Sequence, residues 1–166
     1  TLISVSAVGS LKEELNPGTL VIADQFFDYT KNRQSTFFGE GIVAHASFAN
    51  PTCNQLSEIL YNSAKKLGIK TYKNGTYICM EGPQFSSKAE SKVYRQLEFD
   101  IIGMTNATEA KLAKEAEICY ATMSFVTDYD CWHSSEKEVT VDMVLKILSQ
   151  NIENGKKIIK DALVNI

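Results

Sequence analysis

Residues 101–126 read Ile101-Ile-Gly-Met-Thr-Asn-Ala-Thr-Glu-Ala-Lys-Leu-Ala-Lys-Glu-Ala-Glu-Ile-Cys-Tyr-Ala-Thr-Met-Ser-Phe-Val126, and the pattern changes character twice. Ile101 to Met104 is a short apolar run that suits a buried strand. Ala110, Leu112, Ala113 and Ala116 then suit a helix. Tyr120 to Val126 is nearly continuous apolar sequence, as in a strand covered on both faces. Strand, helix and strand in succession are the unit of an α/β fold.

The same alternation extends outward from this unit. Thr1 to Val8 is apolar and rich in branched side chains, and Leu20 to Ala23 follows the Pro17-Gly18 turn as a second short strand. Residues 28 to 54 are polar and irregular, which predicts a long loop. Leu56, Ile59, Leu60, Ala64 and Leu67 recur at helical spacing up to a stop at Gly68. Tyr77 to Met80 reads as a strand. Ser87 and Glu90 have capping-box spacing, so a helix is predicted from about residue 88 to 97. Thr140 should cap a last helix whose apolar face is Val141, Val144, Leu145, Leu148, Ile152, Ile159 and Leu163. The prediction is one α/β domain over residues 1–166, with a mostly parallel central sheet flanked by helices. Its strands fall near 2–8, 20–24, 76–80, 101–104 and 120–127. Because a domain seldom opens inside its own central strand, further sequence is expected before Thr1.

Composition narrows the classes of function. The 166 residues carry a formal charge of -3, so no global positive field favours nucleic acid or an acidic membrane surface. No apolar run approaches the roughly 20 residues of a spanning helix. Cys53, Cys79, Cys119 and Cys131 form no CxxC pair, which argues against a zinc site and a dense disulfide framework. A reducing, cytoplasmic home is the expectation.

Ligands of open α/β sheets bind beyond the carboxyl ends of the strands. The most informative such end is Ser124-Phe-Val-Thr-Asp128-Tyr-Asp130-Cys-Trp132. Extended backbone would put Asp128 and Asp130 on one face. Two acids held close cannot both ionise freely, and a carboxyl kept protonated can serve a leaving group. By spacing alone the acids also suit a strand end or capped turn, and that plain reading outweighs the catalytic one. His45 and His133 show no matching metal-ligand spacing. A second end, Glu81-Gly-Pro-Gln-Phe85-Ser86-Ser87, places an aromatic ring before a helix N-terminus, where it could stack on a planar ligand or fill core. Ser6-Ala-Val-Gly9-Ser10 could present backbone N–H groups to an anion. Gly103-Met104-Thr105 is a further strand end of small residues. Each of the last three is weak alone.

In this order the segments resemble the trimeric purine nucleoside phosphorylase superfamily. Val126-Thr-Asp-Tyr-Asp-Cys-Trp is similar to the motif of its methylthioadenosine-cleaving branch. The resemblance implies phosphorolysis of a 6-aminopurine thionucleoside, with phosphate as co-substrate and no metal or organic cofactor. Asp128 would share a proton with purine N7, and Asp130 would accept from the 6-amino group. Phe85, Ser86 and Thr127 would line the base pocket and Met104 the ribose. Ser6, Ala7 and Thr105 would meet phosphate, and Val141 and Val144 would wall the methylthio group. His45 would be lent by a neighbouring subunit of a homotrimer. The resemblance covers the later part of a family chain. The family's glycine-rich phosphate loop and its Arg-His pair belong to the earlier part, so this chain alone is expected to be nearly inactive. The rivals are a nucleosidase or phosphorylase of other specificity, and a non-catalytic purine-binding fragment.

Overall fold

The computed structural model describes residues 1–133 and 141–166, with residues 141–146 described for their backbone alone. Among the described residues five strands and four helices follow in the order β1 (Leu2–Ser10), β2 (Leu20–Tyr29), α1 (Asn54–Lys66), β3 (Thr71–Met80), α2 (Lys88–Gln96), β4 (Ile101–Gly103), α3 (Asn106–Glu115), β5 (Tyr120–Asp128) and α4 (Val141–Ala162). A single 3-10 turn, Asp130–Trp132, follows β5.

The strands run in the order β1-β4-β3-β2-β5, and β5 pairs back onto β1, so the sheet closes into a barrel. The β1–β5, β2–β3 and β3–β4 pairings are parallel, while β1–β4 and β2–β5 are antiparallel. The sheet is thus mostly parallel, as the sequence pattern predicts, but its closure is not a property of any one strand's sequence. Two irregularities permit it. A register shift between Val8 and Gly9 lets β1 leave β5 and pair Gly9 and Ser10 with Ile102 and Ile101. Further shifts around Ala23 let β2 face β5 at its start and follow β3 along its whole length.

Side-chain alternation divides the core. Leu20 and Ile22 on β2, with Ala121, Met123 and Phe125 on β5, point outward under Leu56, Leu60 and Ala64 of α1 and Ile158 and Ala162 of α4. Val21, Ala23, Tyr77, Ile101 and Val126 share a second cluster with Ala107 of α3. Ile78, Met80 and Ile102 pack with Tyr94 of α2 and Phe99. Each large side chain buried this way contributes about 1.5–3 kcal/mol. The capping box of α2 is formed, with Glu90 N–H donating to Ser87 Oγ and Ser87 N–H to Glu90 Oε2.

Several sequence boundaries shift. β2 continues to Tyr29, into residues assigned to the loop, because Gln25–Tyr29 pair with Thr76–Met80. β3 starts at Thr71, before the apolar run, because β2 supplies its ladder there. Among the described side chains of α4 the buried ones are Asn151, Gly155, Ile158 and Ala162, and Ile159 packs half-buried against the same core, as expected; Ile152 and Leu163, assigned to the apolar face, are exposed. Gly155 faces the Phe125 ring, and small residues let the helix lie close on β5. The cap expected at Thr140 lies outside the described residues. Cys53 and Cys119, separated by 66 residues, form a disulfide that ties the N-cap of α1 to the segment before β5. Cysteine spacing therefore no longer argues for a reducing compartment.

Tight packing beneath the strand ends has a measurable consequence. A Cβ at Gly103 would collide with the hydroxyl oxygen of the fully buried Tyr77. Overpacking of this kind costs about 1–3 kcal/mol. Gly103→Ala should lower the melting temperature by several degrees, and Tyr77→Phe in the same chain should recover part of the loss. Calorimetric melting of the single and double variants checks this, and an unchanged Gly103→Ala melting point would refute the fit.

Candidate active site

The carboxyl ends of β1, β3, β4 and β5 converge on one cavity of about 300 Å³. Ser6 and Ala7 reach it from β1, and Met104 and Thr105 from the end of β4. Thr127, Asp128 and Asp130 come from the end of β5, and Phe85 and Ser86 from the turn before α2. The parallel β1–β5 register explains the first convergence, since Ala7 lies opposite Phe125 and, past the bulge, Gly9 lies opposite Asp128. A Cβ at Gly9 would meet Ile102 Cγ2 at 3.0 Å and Asp128 Oδ1 at 3.1 Å. Only a residue without a side chain lets β1 pass this close to the carboxylate.

Asp128 and Asp130 are both buried, at 8% and 6% exposure, although carboxylates seldom are. They do not share a face by strand alternation, as the spacing suggested. β5 ends at Asp128, and Asp130 has a φ of 54°, the left-handed conformation, at the start of the 3-10 turn. That turn brings Asp130 N–H back to Asp128 Oδ1 at 2.8 Å. Burial, first, raises the pKa of Asp128, while the Thr127 hydroxyl and the Asp130 N–H oppose the rise. Burial also dominates the upward shift of Asp130. The Ser91 hydroxyl and Cys131 N–H oppose it, and the charge of Asp128 adds to it. Thr127 Oγ1 lies 2.7 Å from Asp128 Oδ2 and 3.2 Å from the Val8 carbonyl oxygen. Its one proton goes to Asp128 while that acid is ionised, and can turn to Val8 once Asp128 is protonated.

The rest of the cavity is apolar or hydroxylic. Phe85 lines the cavity and is 52% exposed. Ser86 is buried beneath it with Oγ 3.6 Å from Met80 Sδ. Gly82, at φ 74°, turns the chain after β3, and a Cβ there would strike Met104 Sδ at 2.6 Å. Thr105 N–H donates to the Tyr77 hydroxyl at 3.4 Å.

Not every expected residue joins this cavity. His45 lies in a separate depression with Cys53, Lys114, Glu117 and Cys119. The side chains of Val141 and Val144 lie outside the described residues. Sequence reasoning missed Arg33. Its guanidinium donates to Glu81 Oε1 at 3.2 Å, to the Glu81 carbonyl at 2.8 Å, and to the Met104 carbonyl. It thereby ties the long loop to two strand ends of the site. The Lys31 N–H, first, and Arg33 hold the Glu81 carboxyl below its usual range. A lone arginine in a polar loop carries no periodic signal by which to find it.

Comparison with known proteins agrees with this geometry. The family model described as the phosphorylase superfamily matches residues 1–164. The chain is 56% identical to the S-methyl-5'-thioadenosine phosphorylase of Koribacter versatilis, over 98% of this chain and 56% of that protein. It is 54% identical to that of Geobacter sulfurreducens, over 99% of this chain and 58% of that protein. It therefore spans little more than half the length of these relatives. A crystal structure of methylthioadenosine phosphorylase from an antarctic soil metagenomic library superposes with a TM-score of 0.93 at 51% identity, over 99% of this chain and 58% of that one. The Schistosoma mansoni methylthioadenosine phosphorylase in complex with adenine gives a TM-score of 0.93 at 33% identity, over 98% of this chain and 64% of that one. With a matched family model along nearly its whole length and the same arrangement of strands, the chain belongs to the phosphorylase superfamily.

Proposed function

We propose that the protein carrying this chain is a glycosyltransferase that cleaves S-methyl-5'-thioadenosine with phosphate, giving adenine and 5-methylthioribose 1-phosphate. The observation that carries the reading is the pair Asp128 and Asp130, buried together at the cavity with both carboxyls shifted toward the protonated form. A 6-aminopurine presents an acceptor at N7 and a donor at the 6-amino group on one edge. A protonated Asp128 and an ionised Asp130 complement that edge. Cleavage leaves positive charge on the sugar and negative charge on the purine. Protonation at N7 neutralises the second, and phosphate meets the first from the opposite face.

In this reading Phe85 stacks on the base, with Ser86 and Thr127 behind it and Met104 beside the ribose. Ser6, Ala7 and Thr105 face phosphate, which is a co-substrate rather than a cofactor, and no metal takes part. Val141 and Val144 wall the methylthio group. The assembly is a homotrimer in which His45 serves a neighbour's cavity, in keeping with its place away from its own. The exposed Phe37 and Phe38 of the same loop are then covered by that neighbour.

Three measurements on the full-length enzyme test the reading. Steady-state kcat/KM should rank methylthioadenosine above adenosine and adenosine above inosine. Asp128→Asn should lower turnover of the adenine nucleosides by roughly 10²–10⁴-fold, the usual worth of a general acid, and narrow the gap to inosine. Inosine as the best substrate, or cleavage that proceeds without phosphate, would sink the assignment. The pH profile should be bell-shaped. Activity falls as pH rises and Asp128 loses its proton, and again as pH falls and Asp130 gains one, with the pair titrating as a unit. Asp128→Asn should erase the alkaline limb, and its persistence would assign that limb elsewhere. Sedimentation at micromolar concentration should give a trimer; a monomer would count against the shared-site arrangement.

A further inference from the structure

Behind Thr105 lies a polar network that no part of the proposed reaction uses. Asn106, the first residue of α3, is fully buried. Its Nδ2 donates to the Tyr120 hydroxyl at 2.8 Å and to Thr122 Oγ1 at 2.8 Å, with Ser4 Oγ at 3.1 Å. The Tyr120 hydroxyl in turn donates to Glu109 Oε2 at 2.9 Å. On its other side Asn106 Oδ1 accepts from Thr105 Oγ1 at 3.0 Å. Thr105 is the one exposed member of the chain, and it lines the cavity.

The direction of every bond follows from its far end. A carboxylate oxygen only accepts, so the Tyr120 proton goes to Glu109. Burial holds the Tyr120 hydroxyl far above its ordinary pKa, so it keeps that proton. Its oxygen then needs a donor, which must be the Asn106 amide nitrogen, since a flipped amide would set lone pair against lone pair. The amide oxygen is thereby turned to Thr105, and a hydroxyl with one proton gives that proton to it. The buried Tyr77 hydroxyl, 3.5 Å from Thr105 Oγ1, then faces one of its two lone pairs as a donor, and what remains for the cavity is the second lone pair and no proton.

We propose that Glu109, Tyr120 and Asn106 are positioning residues that fix the polarity of the Thr105 hydroxyl, so that Thr105 accepts a hydrogen bond from a hydroxyl of the ligand. The inference rests on the proposed reaction for its ligands. Two hydroxyls fit, the protonated oxygen of hydrogen phosphate and a hydroxyl of the sugar.

The test is calorimetric binding to the full-length protein, in two arms. One compares methylthioadenosine with its 2'-deoxy and 3'-deoxy counterparts. The other compares phosphate with sulfate, which carries no proton at neutral pH. In the wild type one arm should show about a tenfold loss of affinity when the hydroxyl is missing, the usual worth of one hydrogen bond. Loss in the first arm assigns a sugar hydroxyl as the donor, and loss in the second assigns phosphate. Glu109→Gln supplies an amide that can donate to Tyr120, which frees the relay to reverse. Tyr120→Phe cuts the relay without altering the shape of the core. Both variants should bring that same ratio close to one and leave the other arm unchanged, an outcome that general loosening of the fold would not give. The proposal is overturned if neither arm discriminates in the wild type, or if the discrimination survives in both variants. Because binding is read without turnover, a protein that binds but does not cleave would refute the proposed reaction and leave the relay standing.

Discussion

The parallel pairing of β1 with β5, broken by one bulge before Gly9, is the constraint on which the rest of the molecule depends. Along Leu2 to Val8 the two strands run in step, which sets Ser6 and Ala7 beside the end of β5. At the bulge β1 turns away to pair with β4, and the sheet closes. Closure removes both edges that an open sheet would leave unpaired. It also draws the carboxyl ends of four strands toward one point, and the cavity forms there. A side chain at Gly9 would press on Asp128 and Ile102 at once, so the bulge and the site share one steric limit.

Burying two carboxylates at that point is costly, because a charge loses its water and finds little to replace it. The chain spends stability from its core here, and the Asp130 turn shows how. A left-handed residue returns its own N–H to Asp128, and Thr127 offers a hydroxyl from the same strand end. These partners are few enough that both acids stay shifted toward the neutral form. A surface pair with more donors would be ionised. The long loop contributes in another way. Arg33 joins its start to Glu81 and Met104, so the part of the chain with least regular structure still fixes two strand ends.

Much of the fold is legible in the residues. The apolar runs of β4 and β5, the helical spacing before Gly68 and the capping box at Ser87 and Glu90 each stand where local pattern puts them. Pattern fails where a neighbour supplies what the local residues lack. Gln25 to Tyr29 become strand because β3 lies alongside. In the described part of α4, Asn151, Gly155, Ile158 and Ala162 are buried where the apolar period does not point, with Gly155 against the Phe125 ring. Cys53 and Cys119 are far apart in sequence and adjacent in space, which no spacing rule discloses.

By itself the sequence determined the α/β alternation, the approximate carboxyl ends of the strands that line the cavity and the chemical types gathered there, because hydrophobic period and turn residues act over a few neighbours. It also carried Asp128, Asp130, Phe85, Ser86 and Thr105 as candidates, since each follows a recognisable strand. Only the tertiary structure decided that the sheet closes, that Asp130 reaches the cavity through a left-handed turn, and that Asn106 stands between Thr105 and Tyr120. It alone separated His45 from the cavity of its own chain and brought Arg33 to Glu81. Those outcomes depend on contacts between segments distant along the chain, and on the direction of single hydrogen bonds, which side-chain type and spacing leave open.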